Sequence, residues 1–158
     1  MAWRGSTTTK DRIFSCLPYI LPLLSAYPFS LFLFRQFPVL GLIYTPLSPL
    51  LAIYNIPFAS LIIFFALFLG VVRNENINHF IRFNTMQAIL LDILLFLCSM
   101  LLQILVPALG GANLITQTLF NVVFLGTLVA CGYSVVQSIL GRYGEIPAIS
   151  EAAYTQLR

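Results

Sequence analysis

Apolar and polar positions in this chain separate on a coarse scale: four long apolar runs are divided by short segments that hold nearly all the charge. Lipid offers no hydrogen-bond partners, so a segment that crosses it must bond internally and exclude charge. An uncharged run of about 20 residues therefore predicts a membrane-spanning helix. The runs lie at about 13–34, 56–72, 85–106 and 114–140. The predicted fold class is all-α: a single polytopic membrane domain over residues 1–158, with four transmembrane helices and an interfacial amphipathic helix before the third.

The finer pattern differs from run to run. The first span holds Pro18, Pro22 and Pro28. Each removes a donor and frees a carbonyl one turn back, so this helix must kink. Ser15, Ser25 and Ser30 are spaced to satisfy such carbonyls. Residues 35–55 are apolar but carry Pro38, Gly41, Pro46 and Pro49. That density excludes a straight span and predicts a re-entrant or interfacial segment, with Tyr44 and Tyr54 at headgroup level. The second span is apolar on every side, as for a lipid-facing helix, and Pro57 sits in its first turn, where a missing N–H costs little. In RNENINHFIRFN, residues 73–84, Ile77, Phe80 and Ile81 fall at i, i+3 and i+4. This spacing predicts an amphipathic helix over about 75–84 lying in the interface. Pro107 and Gly110-Gly111-Ala112-Asn113 predict a tight uncharged turn, and Gly141 ends the fourth span before a short polar tail.

Composition narrows the function classes. Hydrophobic residues make up 59% of the chain and charged residues 8%, against roughly 25% charged in soluble domains, which leaves room for one membrane bundle. The net charge of +3 is too small and dispersed for a nucleic-acid surface. It does orient the chain. Four spans place Arg4, Lys10, Arg12, Arg73, Arg82, Arg142 and Arg158 on one side and Arg35 alone on the other. The positive-inside bias then puts both termini on the cytoplasmic or stromal face. The first apolar run exceeds the roughly 7–15 residues of a signal-peptide core, so it reads as a span and not as a removable address. Cys16, Cys98 and Cys131 are scattered through apolar runs with no C-x-x-C pair, which predicts buried thiols and neither a disulfide framework nor a metal cluster. No internal repeat suggests an inverted-repeat transporter.

Polar residues inside the spans are the candidate functional groups. Asp92 lies ten positions past Arg82, roughly 15 Å along a helix and near the middle of a ~30 Å hydrocarbon core. An acid there costs roughly 2.5–3.5 kcal/mol and is expected to face protein or water. Thr85, Ala88, Asp92, Ser99 and Gln103 share one helical stripe. The turn at Gly110-Gly111 pairs residues whose numbers sum to about 220, so Gln103 is expected opposite Gln117, Ser99 opposite Asn121, and Asp92 opposite Thr127–Cys131. The five residues Asp92, Ser99, Gln103, Gln117 and Asn121 form the predicted polar seam, with two readings open: hydrogen-bonded glue between helices, or a polar path. Gly126, Ala130, Ser134 and Ser138, at steps of four, predict a small-residue packing face. His79 has no partner at metal-ligand spacing and reads as a solvated or headgroup-contacting side chain. Arg73 and Arg82 read most simply as anchors for lipid phosphates.

No catalytic signature such as G-x-S-x-G, H-E-x-x-H or a P-loop occurs, so no enzyme and no cofactor is expected. Two strings carry a resemblance: FIRFNTMQAILLDI, from Phe80 to Ile93, and RGSTTTKDRIFSCLPYILPL, from Arg4 to Leu23. They resemble the Tic20 family, the chloroplast inner-envelope translocon component with its cyanobacterial and plastid-encoded, Ycf60-like relatives. The likeness covers nearly the whole chain. It implies a membrane-embedded subunit of a protein-import channel with both termini in the stroma or cytoplasm, sited in a cyanobacterial membrane or the plastid inner envelope. It further implies a homo-oligomer or other translocon subunits as partners, a translocating polypeptide as client, and Arg82, Phe83, Asn84, Gln87 and Asp92 as family hallmarks. Two alternatives from other classes stay open: a small-solute or ion channel or transporter using Asp92, and a non-conducting membrane assembly factor.

Overall fold

The computed structural model describes residues 7–157, so Arg4 and Arg158 lie outside the described residues. The chain is helical, and no strand occurs among the described residues. Span one runs from Thr9 to Gln36, 28 residues. It is assembled from α1 (Thr9–Cys16), α2 (Ile20–Ala26) and α3 (Leu31–Gln36), joined by 3₁₀ turns at Leu17–Tyr19 and Tyr27–Ser30. The turns carry Pro18 and Pro28, as the loss of the i→i−4 bond requires. A capping box opens α1: Thr8 accepts from the Asp11 N–H and Asp11 accepts from the Thr8 N–H.

A 3₁₀ turn, Pro38–Tyr44, then leads to α4 (Ser48–Tyr54) and α5 (Ala59–Leu67), the latter extended by a π turn over Phe68–Val72. The pieces Pro38–Tyr54 and Ala59–Val72 meet at 99°. Phe58 forms the apex, left-handed at φ 66 and 75% exposed, a conformation that costs a non-glycine residue roughly 1–2 kcal/mol. Two long straight helices follow, α6 (His79–Ala108, 30 residues) and α7 (Leu114–Ile139, 26 residues), and a short α8 (Ile149–Gln156) closes the chain. Three helices are long and apolar enough to cross a membrane, and four if the bent pair counts as one span.

The element before the third span differs from expectation. Residues 75–84 do not form a separate interfacial helix: residues 73–78 are turn and bend, and α6 begins at His79 and continues unbroken to Ala108. Asn78 caps it by accepting from the Phe80 N–H at 2.9 Å. Phe80 and Phe83 are buried, because α8, which the apolar spacing of residues 77–81 did not reveal, folds back over this end. Phe83 stacks on Tyr154 with centroids 4.6 Å apart and also meets Tyr143. Tyr44 and Tyr54 likewise turn inward and not toward headgroups. Tyr27 donates its N–H to Leu24 O within a 3₁₀ turn, which leaves Leu23 O available, and Tyr44 OH takes it at 2.8 Å.

Hydrogen bonds tie one end of the bundle together. Asn78 donates to Asp11 at 3.2 Å, and Arg12 donates to Ile139 O at 3.4 Å. Gly141, at φ 74, lies so close to Thr7 and Arg12 that a Cβ there would come within 2.9 Å of Arg12. The start of span one, the start of α6 and the end of α7 therefore share one end. At the far end, Phe29 and Phe32 pack on Phe120, and Phe34 on Phe124. Span one leaves the chain at that far end and α6 restarts at the first, so residues 37–78 must return across the bundle. The 99° corner lies within that return, which makes the number of traverses even and places residues 7 and 157 at the same end. Lys10, Arg12, Arg73, Arg82 and Arg142 gather there, and Arg35 sits at the other.

Candidate functional site

Two groups of polar side chains lie within the bundle. The first sits where span one, α6 and α7 meet near the basic end. Asn84 and Gln87, one turn apart on α6, are both 0% exposed. Tyr19 OH donates to Asn84 Oδ1 at 2.8 Å, and Ser138 Oγ donates to the same oxygen at 3.0 Å. Asn84 Nδ2 donates to Phe80 O at 2.8 Å. Gln87 Nε2 donates to Gly144 O at 2.7 Å, with Tyr19 OH at 3.0 Å and Ser134 Oγ at 3.3 Å also in reach. One amide thus ties span one to α7, and the other adds the turn that follows α7. Gln87 Oε1 and the neighbouring Thr85 Oγ1 are buried without a partner among the described residues.

The second group surrounds Asp92. This residue stands 13 residues into α6, about 20 Å along a helix of about 45 Å. Ser25 Oγ donates to its Oδ1 in a short hydrogen bond. Tyr54 OH lies 3.2 Å from both carboxylate oxygens and 2.9 Å from Ser25 Oγ. These groups line a lateral groove of about 550 Å³ between span one, α4, α5 and α6, with Asn55, Ser60 and Ser99 on its wall and Leu61, Phe64 and Phe96 on its rim.

The predicted polar seam is therefore only partly assembled. Asp92 and Ser99 share the groove, but Asp92 faces Ser25 and Tyr54 instead of Thr127–Cys131. Gln103 is exposed and Gln117 half-buried, with no hydrogen bond between them, and none joins Ser99 to Asn121. Asn121 Oδ1 is buried without a partner among the described residues. The small-residue row divides as well. Ser134 and Ser138 are buried at the Asn84–Gln87 cluster, Ala130 is half-buried, and Gly126 is exposed with open space around it. Steps of four drift about 40° each on a helix of 3.6 residues per turn, so Gly126 ends about 120° from Ser138. The inner face of α7 follows Thr127, Cys131, Ser134 and Ser138 instead.

Arg82 Nε donates to Val72 O at 2.8 Å, tying the end of the π turn to α6. His79 Nδ1 lies 2.8 Å from Tyr143 OH, and its ring stacks on Tyr154. Cys16, Cys98 and Cys131 are free thiols.

Comparison with known proteins places this architecture. A family model described as "Chloroplast import apparatus Tic20-like" matches residues 8–153. The chain belongs to the Tic20 family. A Tic20 family protein of Synechocystis is 54% identical to it over 160 residues, covering 100% of this chain and 99% of that protein. Protein TIC 20-II, chloroplastic, of Arabidopsis thaliana is 39% identical over 96% of this chain and 74% of its own length. The Tic20 family protein Ycf60 of Porphyra purpurea is 34% identical over 97% and 78%. All five residues that the resemblance implied as hallmarks, Arg82, Phe83, Asn84, Gln87 and Asp92, occupy α6 of this Tic20 family chain, and Phe83, Asn84 and Gln87 are buried in the bundle. Of the residues that complete the two polar groups, Tyr19 drew no expectation, Ser25 was expected to satisfy a freed carbonyl and Tyr54 to sit at headgroup level; all three instead pair with α6. Tyrosines and serines in apolar runs are common, and these pairings with α6 join residues 38 to 68 positions apart in sequence.

Proposed function

We propose that this chain is a membrane-embedded subunit of a protein-translocation assembly, working beside further copies or other subunits and not as a complete conduit. The observation that carries the reading is the Tic20 match over residues 8–153. The packing supports the second clause: Tyr19, Phe83, Asn84, Gln87 and Phe124 fill the middle of the bundle. A bundle of a few helices, each about 10–12 Å across, leaves no lumen for a polypeptide. The outer face of α5 away from the groove, with Ile62, Phe65 and Leu69 exposed, is the proposed contact with a neighbouring subunit.

We further propose that the shared basic end faces the cytoplasm or stroma, as the positive-inside bias favours. Protease-protected tags on both termini in oriented membranes test this; one protected and one cleaved tag overturns it. The functional test is affinity purification from the native membrane with a polypeptide arrested in transit. Recovery of the arrested chain together with other membrane subunits is the expected result. A strictly monomeric chain that moves polypeptide across vesicles overturns the multi-subunit reading. Partners recovered with no arrested chain and no conductance would favour the assembly-factor reading. A second reading, ion or small-solute conduction, draws on the groove at Asp92. Asp92→Asn leaving vesicle conductance unchanged counts against it.

A further inference from the structure

The Asp92 groove combines features that glue between helices does not need. Its polar lining is presented sideways, toward lipid, near the midpoint of α6. Asn55 and Ser60 are exposed on it, and Ser25, Tyr54, Asp92 and Ser99 are half-buried. Polar groups at this depth are retained where they meet protein or water, and no element among the described residues closes over this flank. The Asn84–Gln87 cluster shows what the same fold does when polar groups serve only packing: three elements close over them.

The carboxylate is also under-used. It offers about four acceptor positions, and Ser25 and Tyr54, both neutral, are its hydrogen-bond donors among the described residues. The cations among the described residues are out of reach. Lys10, Arg12, Arg73, Arg82 and Arg142 lie at the basic end and Arg35 at the other. The outward faces that a second copy would present at this depth carry Ile93, Leu94, Leu97, Met100 and Val129, none of them a cation. Charge complementarity therefore selects a partner that carries a basic side chain within an otherwise apolar segment. The groove has the matching anatomy, one acidic centre inside a rim of Leu24, Leu51, Leu61, Phe64 and Phe96.

We propose that this groove docks an apolar segment of a polypeptide in transit that carries one lysine or arginine at mid-membrane depth, the cation joining Ser25 and Tyr54 at Asp92. The proposal rests on the translocation reading, since it takes the client polypeptide as occupant. Its test needs no translocation, so the two fail separately. The full chain, with Leu61 replaced by a photoreactive benzoylphenylalanine, is placed in phosphatidylcholine vesicles with synthetic Leu/Ala peptides of about 20 residues that carry Lys, Leu or Glu at their centre. The Lys peptide is expected to cross-link roughly three- to twentyfold more than the Leu peptide, the range intramembrane polar contacts span, and the Glu peptide less than either. Asp92→Asn, which keeps the shape of the side chain, should bring the Lys peptide down to the Leu level. Equal yields for Lys and Leu peptides on the native chain overturn the proposal without recourse to any variant. Cross-linking to a second copy in place of peptide overturns it in favour of self-association, and cross-linking to lipid alone overturns it in favour of a lipid-filled groove.

Discussion

The two polar groups on α6 lie one above the other, eight residues apart from Asn84 to Asp92, and have opposite fates. Around Asn84 and Gln87, span one, α7 and the turn at Gly144 close completely, and nearly every donor finds an acceptor. Around Asp92, α7 is absent from the contact, and the bent pair α4–α5 leaves a gap. The lesson is that a polar side chain within a span does not declare its role by its type. Glue is recognised by closure on every side, a binding surface by an open flank.

That contrast is open to breakage. The largest effect is expected at Gln87. Gln87→Leu leaves the buried Gly144 carbonyl without its donor and loosens Tyr19 and Ser134, for a loss of about 3 kcal/mol, read as a lower thermal midpoint in detergent. Tyr19→Phe should cost about 1–2 kcal/mol, since Asn84 Oδ1 keeps Ser138 as a donor. Tyr44→Phe, which orphans the Leu23 carbonyl in the proline-broken span, should cost about 1 kcal/mol in the same assay. The smallest change belongs to Asp92. Asp92→Leu should be neutral within about 1 kcal/mol or stabilising, because removing an acid from a half-open apolar setting relieves desolvation as it deletes two hydrogen bonds. A stability loss at Asp92 as large as that at Gln87 would erase the distinction between the two groups.

Much of this was legible along the chain. The proline spacing of residues 18–28 forecast a broken first span, and that of residues 38–49 excluded a straight span over 35–55, because proline acts locally on its own hydrogen bond. The turn at 110–113 was equally local: Gly110 and Gly111 take φ of 89 and 90, and Asn113 caps α7. The register drawn from that turn was not sufficient to find the partners of Asp92. It fixes depth along α6 and α7 but not the rotation of each helix, and span one competes for the same face. The amphipathic spacing at Ile77, Phe80 and Ile81 was real but misleading, since a buried helix start under α8 has the same apolar periodicity as a helix floating at the interface.

By itself, then, the sequence determined that this is a helical membrane protein of the Tic20 type, where its spans break, and which end gathers the basic residues. Those properties depend on composition, local backbone chemistry and charge counted along the chain. Only the tertiary structure decided that Asn84 and Gln87 are sealed within the bundle while Asp92 meets Ser25 and Tyr54 at an open groove. Both outcomes depend on how three helices and a bent pair are rotated about their axes. That rotation is set by the fit of Phe83, Phe124, Tyr19 and Tyr44 against residues remote in sequence, which no single run of the chain encodes.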